Sequence, residues 1–567
     1  MDIRRLITAN RRTGLVSGLL RLHSIAIPLV AFQAVLMASA QPSPAYEQTV
    51  LRIQKEIEGG NLDQARRLIE AVESKYPRDG GLENLLGVIE IQEGHTAEAS
   101  RDFTDAITRN PRLVGAYLNL GRIEMQTAGS DPKMRASALR HSLKVVELDP
   151  GNDEAHYQLA SLYLWDKRYQ LSLNQLEKLN AAARKQVGAE ALFCVDRAVL
   201  GPRIETSIAA TALASNPDLT EDDASTCLPS LQAARRADLI EELFAAVMNH
   251  QQLSAKGMRI LGLAQEADGK LHDARATLEN GFAASNNSVV ILEDLARVAR
   301  TENDSDGALG YLAHARDLAP NDPKLPYAFA AVCLRLRLFG EARKALDDAL
   351  HLAPDNPDYN LAMGLVVSYS ADPSQALPYI KRYLELRPGD PEGPLAMGTA
   401  NFRAKDYDAA TQWLKRAREN PKTAADAHFY LGRIALLEGH LDEAMMELRK
   451  SLFLHPGQAD TLSALGQVSL LEHDFKQASA RFEEALRLEP DNYTANFGLL
   501  QLYARTGDPR REKQSQRFDE IKNQKEEQDR QMMRTIQIRR DDESDPQNRS
   551  ASEPFHRQQL TPHGEPR

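Results

Sequence analysis

The chain has 567 residues, of which 42% are hydrophobic, 26% charged and only 6% aromatic, with a formal net charge of −11. That length exceeds one ordinary hydrophobic core and calls for several domains or one extended repeat array. The acidic balance excludes nucleic acid as the general partner, and three scattered cysteines without a Cys-x-x-Cys exclude a disulfide framework, a zinc ribbon and c-type haem attachment.

Residues 1–24 are rich in Arg, Ile25 to Ala38 is mostly apolar, and Ala38-Ser39-Ala40 supplies small residues ahead of the polar Gln41-Pro42-Ser43-Pro44. This three-part layout reads as a secretory signal peptide over residues 1–40. The apolar run is short for a membrane span of about 20 residues; an uncleaved N-terminal anchor is the alternative. Arg11-Arg12 lacks the following aromatic of a twin-arginine signal, and no Cys stands at the cleavage point. Loss of residues 1–40 removes five Arg and one Asp and leaves a charge of −15. The expected location is periplasmic or secreted.

From about residue 46 the chain repeats every 34 residues, with units starting at 46, 80, 114, 153, 187, 221, 255, 289, 323, 357, 391, 425, 459 and 493. In the clearest unit Leu465-Gly466 fill positions 7 and 8, Ala478 position 20, Phe482 position 24, Ala485 position 27 and Pro490 position 32. Position 20 is Ala in ten of the fourteen units and position 32 is Pro in eight, far above chance for a chain with 28 prolines. Small residues at 8, 20 and 27 permit close helix approach, Pro near 32 ends the second helix, and Asp or Asn after it caps the next. Gly60, Gly94, Gly269, Gly439 and Gly507 fall at position 15, the inter-helix turn, where positive φ is useful. One five-residue insertion is expected near Thr127–Pro132, in the inter-helix turn of the third unit.

These positions resemble the tetratricopeptide repeat. The resemblance implies an all-α, right-handed superhelical solenoid of about fourteen helix pairs, with first helices lining the inner surface at positions such as 2, 5, 9 and 12. Residues 46–186 hold repeats one to four, and 255–526 hold repeats seven to fourteen. Residues 187–254 are degenerate, with Thr206 and Ile240 at position 20 and no Pro at position 32. They read as atypical helical pairs, or alternatively as a linker dividing the array. A polar helical extension and a tail with little to bury occupy residues 527–567.

No phosphate-binding Gly-rich loop, His-Glu-x-x-His, Gly-x-Ser-x-Gly or calcium-loop pattern occurs, so no catalytic, cofactor or metal residues are assigned and the chain is not expected to be an enzyme. The acidic run Glu221-Asp222-Asp223 follows Thr220 and reads as a capped helix start rather than a metal site. Cys194 and Cys227 fall at positions 8 and 7 of adjacent first helices, as buried thiols or a disulfide. The resemblance places Asn84, Asn119, Arg122, Tyr157, Arg297, Tyr327, Phe429, Arg433, Gln467, Phe497 and Gln501 on the groove. That mixture of aromatics, amides and Arg suits a peptide or protein partner. The carboxylate-clamping set of chaperone-binding repeats is missing. So are the Asn ladder and the catalytic half of the O-linked N-acetylglucosamine transferases; only Asn119 stands at the ladder position. The implied function is an extracytoplasmic interaction scaffold, for example in envelope or secretion assembly. The alternatives are an accessory or cryptic enzyme binding a glycan or small molecule, and an N-terminally anchored regulator.

Overall fold

The structure is a computed structural model that describes residues 44–75, 79–370 and 372–524. The leader expected over 1–40 and the extension and tail expected over 527–567 lie outside the described residues. Among the described residues every regular element is helical, and no helix is long and apolar enough to cross a membrane. The described residues divide into two compact units, one ending at Asp304 and the other beginning at Ser305.

In the N-terminal unit helices pack in consecutive pairs, such as Gly80–Gln92 with Thr96–Arg109 and Val114–Ala128 with Pro132–Leu148. Second helices also pack on the first helix of the next pair, the arrangement of a helical solenoid; Arg203–Ala214 instead packs on the next second helix, Ala237–Met248. Residues 187–254 form two such pairs, Val187–Leu200 with Arg203–Ala214 and Glu221–Ala233 with Ala237–Met248. Thr220 caps Glu221–Ala233 with a capping box to Asp223. The C-terminal unit repeats the scheme from Ser305–Leu318 onward, with Glu392–Arg403 on Tyr407–Ala417, Ala424–Glu438 on Leu441–Leu454 and Ala459–Leu471 on Phe475–Leu488. Residues 511–524 form a further helix, from which Phe518 packs on Tyr493 and Phe497 and the Gln514 amide donates to the Asn496 carbonyl at 3.0 Å.

The packing follows from residue size. A Cβ on Gly466 would lie 2.6 Å from the Phe482 ring, so the bare backbone is what lets the two helices of that repeat meet. Ala444, Ala478 and Ala485 have no exposed surface. In the degenerate fifth repeat the sizes swap: Cys194 stands at position 8 and Ala210 at position 24, both fully buried in one continuous core. Conserving summed volume keeps the pair packed although the consensus residues are gone. Asn492 shows why a cap follows position 32: its side chain accepts from the Ala495 amide of the next repeat, and its own amide donates to Asp460 at the start of its own repeat.

Two details differ from the sequence reading. The insertion in the third repeat is absorbed as helix, because Val114–Ala128 and Pro132–Leu148 extend until only residues 129–131 remain as turn, with Asp131 capping the second helix. Positive φ at position 15 is not confined to glycine: Lys167, Arg235, Asn303, Arg337, Lys405 and His473 adopt it at the same place as Gly439 and Gly507. The helical hairpin dictates the left-handed turn whichever side chain stands there.

Candidate functional site

The residues expected on the groove separate into two groups by what they touch. In the N-terminal unit they are tied to neighbours within the unit. Asn84 is fully buried, and its side-chain oxygen accepts from the Asn119 amide at 3.1 Å. Arg122 donates to both oxygens of Glu154 in the next repeat, at 2.5 and 2.6 Å, and to Asn119 at 3.1 Å. Tyr157 sits against Gly188, and burial, helped by Asp223, pushes its hydroxyl up to about 12. Arg297 lies between Glu266 of the preceding repeat and Asp294 of its own, with the second contact at 2.6 Å. Burial opposes its charge, but the two carboxylates outweigh it and hold its pKa above the ordinary arginine value. Arg259 reaches Asp294 from the other side at 2.5 Å.

The C-terminal unit is built from rings. Tyr327 packs on Tyr359 with ring centroids 4.7 Å apart, and burial followed by nearby Asp358 raises its pKa. The Arg433 guanidinium lies 6.0 Å from the Phe402 ring centroid and 5.8 Å from that of Phe429. Both rings meet Tyr430 edge-on, at 5.3 and 5.2 Å. One repeat earlier, Arg403 lies 3.7 Å over Tyr369, which itself stacks on Phe339 at 5.3 Å. Tyr369 is 52% exposed although stacked on both sides. Among the described residues Arg403 and Arg433 have no carboxylate partner, and Gln467 and Gln501 form no side-chain hydrogen bond. Phe497 is 37% exposed and backed by Phe518.

Sequence reasoning named Phe429 and Arg433 but missed Phe402, Arg403, Tyr369 and Tyr430. Phe402 stands at position 12, Tyr369 and Arg403 at position 13 and Tyr430 at position 6 of their repeats. Other clusters have structural explanations. Glu90, Glu93 and His95 bring one ligand atom each within 4.8 Å, but the Arg66 guanidinium already bridges both carboxylates at 2.9 and 2.8 Å. Cys194 and Cys227 are buried free thiols side by side, and the hydrogen bond with Cys194, followed by burial, pushes the Cys227 thiol up. Asp196 is fully buried with neither oxygen hydrogen-bonded, and Ser172 lies beside it without a hydrogen bond. Burial pushes the Asp196 carboxyl up to about 7, against the smaller opposing pull of Ser172 and Arg197.

Comparison with known proteins gives the same repeat. Residues 299–365, 361–423 and 464–511 match tetratricopeptide repeat families. No curated protein matches the chain in sequence. Among solved structures it is similar to a tetratricopeptide repeat protein from Parabacteroides merdae, at 14% identity over 44% of this chain and 98% of that one, with a TM-score of 0.40. It is also similar to a chain of the Cut9–Hcn1 hetero-tetramer of the APC/C, at 15% identity, 80% and 96% coverage and a TM-score of 0.35. PilW, a type IV pilus biogenesis factor, gives 19% identity, 38% and 100% coverage and a TM-score of 0.34.

Proposed function

Because the chain is a tetratricopeptide repeat protein, we propose that it is a non-catalytic scaffold that holds a segment of a partner protein on the first-helix face of its C-terminal unit, outside the cytoplasm. One observation carries this reading. The face from Glu392 to Gln501 keeps two guanidiniums without carboxylates and two amides without hydrogen-bond partners, set among part-exposed rings. Rigid aromatics offer contact area at low entropic cost, and unpaired polar groups supply direction. The signal-peptide pattern of residues 1–40 supports the extracytoplasmic part.

A photo-crosslinking side chain placed in turn at Gln467, Gln501 and Arg449 of the full-length chain tests the face. The first two lie on first helices, and Arg449 is exposed on a second helix. A common adduct at Gln467 and Gln501 and none at Arg449 is expected. Adducts at all three sites, or at Arg449 alone, would remove the face from the account. Recovery of a mature protein beginning at Gln41 from the envelope fraction is the expected sign of export, and a cytoplasmic chain beginning at Met1 would sink it.

A further inference from the structure

Arg297 and Arg433 occupy the same place in their repeats, position 9 of the first helix. Each is met from two directions, by position 12 of the preceding repeat and by the position 5–6 corner of its own helix. At Arg297 those neighbours are Glu266 and Asp294. At Arg433 they are Phe402 and Phe429. The first site is neutralised by its own chain. The second holds the guanidinium against two ring faces, which attract a cation but carry no charge that could cancel it. Arg403, stacked on Tyr369, repeats the device one repeat earlier.

Resting on the function proposed above, we infer that the partner segment carries Asp or Glu side chains whose carboxylates pair with Arg433 and Arg403, in the place that Glu266 and Asp294 take at Arg297. Arg403 also meets the Tyr430 hydroxyl, a neutral partner that leaves its charge uncancelled, and the N–H edges of a guanidinium match a carboxylate in two parallel bonds. Aromatic walls lower the local dielectric and strengthen the pair relative to one on open surface. The fit is one of charge complementarity at a local site, since the chain as a whole is acidic and repels an acidic segment elsewhere.

The test is to pan a random peptide library on the immobilised full-length chain, with the Arg403→Gln/Arg433→Gln double variant as a parallel target. Recovered peptides are then titrated by fluorescence anisotropy. Peptides rich in Asp and Glu are expected on the natural chain. Replacing those acids with Asn and Gln should weaken binding about tenfold or more to the natural chain and far less to the variant. Arg433→Lys keeps the charge and should restore part of the loss. Peptides without acidic bias, or equal affinities for both proteins, would overturn the inference while leaving the scaffold reading intact. Recovery of no peptide at all would remove the scaffold reading and the inference with it. Acidic peptides that bind only after truncation at Arg540 would overturn the assignment to a partner and hand the site to the chain's own Asp541–Asp545. If the double variant unfolds, the acid-to-amide series on the natural chain still decides.

Discussion

Arg297 in the N-terminal unit and Arg433 in the C-terminal unit show one position put to two uses. Arg297 ties consecutive repeats together through Glu266 and Asp294. Its removal strands the mostly buried Glu266 and leaves Asp294 to Arg259 alone, which makes it part of the stack. Arg433 has two rings in those places and no carboxylate partner among the described residues. Such a contact contributes about 0.5–1 kcal/mol at an exposed site, so the stack loses little without it and the charge stays available. A repeat position is therefore a place in a lattice of neighbours, and its role is set by what the adjacent repeats put beside it.

The comparison can be broken in several ways. The largest effect concerns packing rules that the two units should share. Gly466→Val drives a branched side chain into the Phe482 ring and should destabilise by about 3 kcal/mol. Cys194→Val, at the same position of the fifth repeat facing Ala210, should cost far less. Equal urea midpoints for the two variants would mean that the size swap does not compensate.

The next effect belongs to the N-terminal unit alone. The carboxyl of Asp196 is raised to about 7 by burial, so the folded chain binds this proton more tightly than the unfolded chain, whose carboxyl has a pKa of about 3.9. Its contribution is present below the unfolded pKa and is lost as pH climbs toward and through 7. Stability should thus fall by a few kcal/mol between about pH 4 and pH 8, and Asp196→Asn should flatten that slope. An unchanged slope in urea titrations across this range would show that the carboxyl is not the source.

The direct comparison comes third. Arg297→Ala should destabilise by about 2 kcal/mol, and Arg433→Ala by about 1 kcal/mol or less, both read from urea denaturation. Similar losses would erase the distinction between staple and open site. The smallest effect is in the turns. Lys405→Gly should stabilise by up to about 1 kcal/mol by relieving a left-handed backbone, and Gly439→Ala should cost about the same. A destabilised Lys405→Gly would mean that the lysine side chain outweighs its strain.

The first helices of the repeats begin within about two residues of the expected unit starts, from Pro44–Glu58 to Tyr493–Thr506. Size, helix-breaking and capping preferences act locally and recur every 34 residues, so they were legible without coordinates. Half of the C-terminal site was legible in the same way, since Phe429 and Arg433 fall at groove positions.

The rest depended on contacts between residues about 30 apart. No local pattern says that Arg297 meets Glu266 while Arg433 meets Phe402, because each guanidinium is neutralised or left open by a neighbour one repeat away. The same holds for Asn84, buried where a groove residue was expected, and for the left-handed turn at Lys405, set by the hairpin rather than by its residue. The sequence alone determined the repeat, its register and where each first helix begins, because those follow from short-range sterics and periodic burial. Tertiary structure decided which charges are cancelled, because cancellation is a property of pairs of side chains brought together only when the repeats stack.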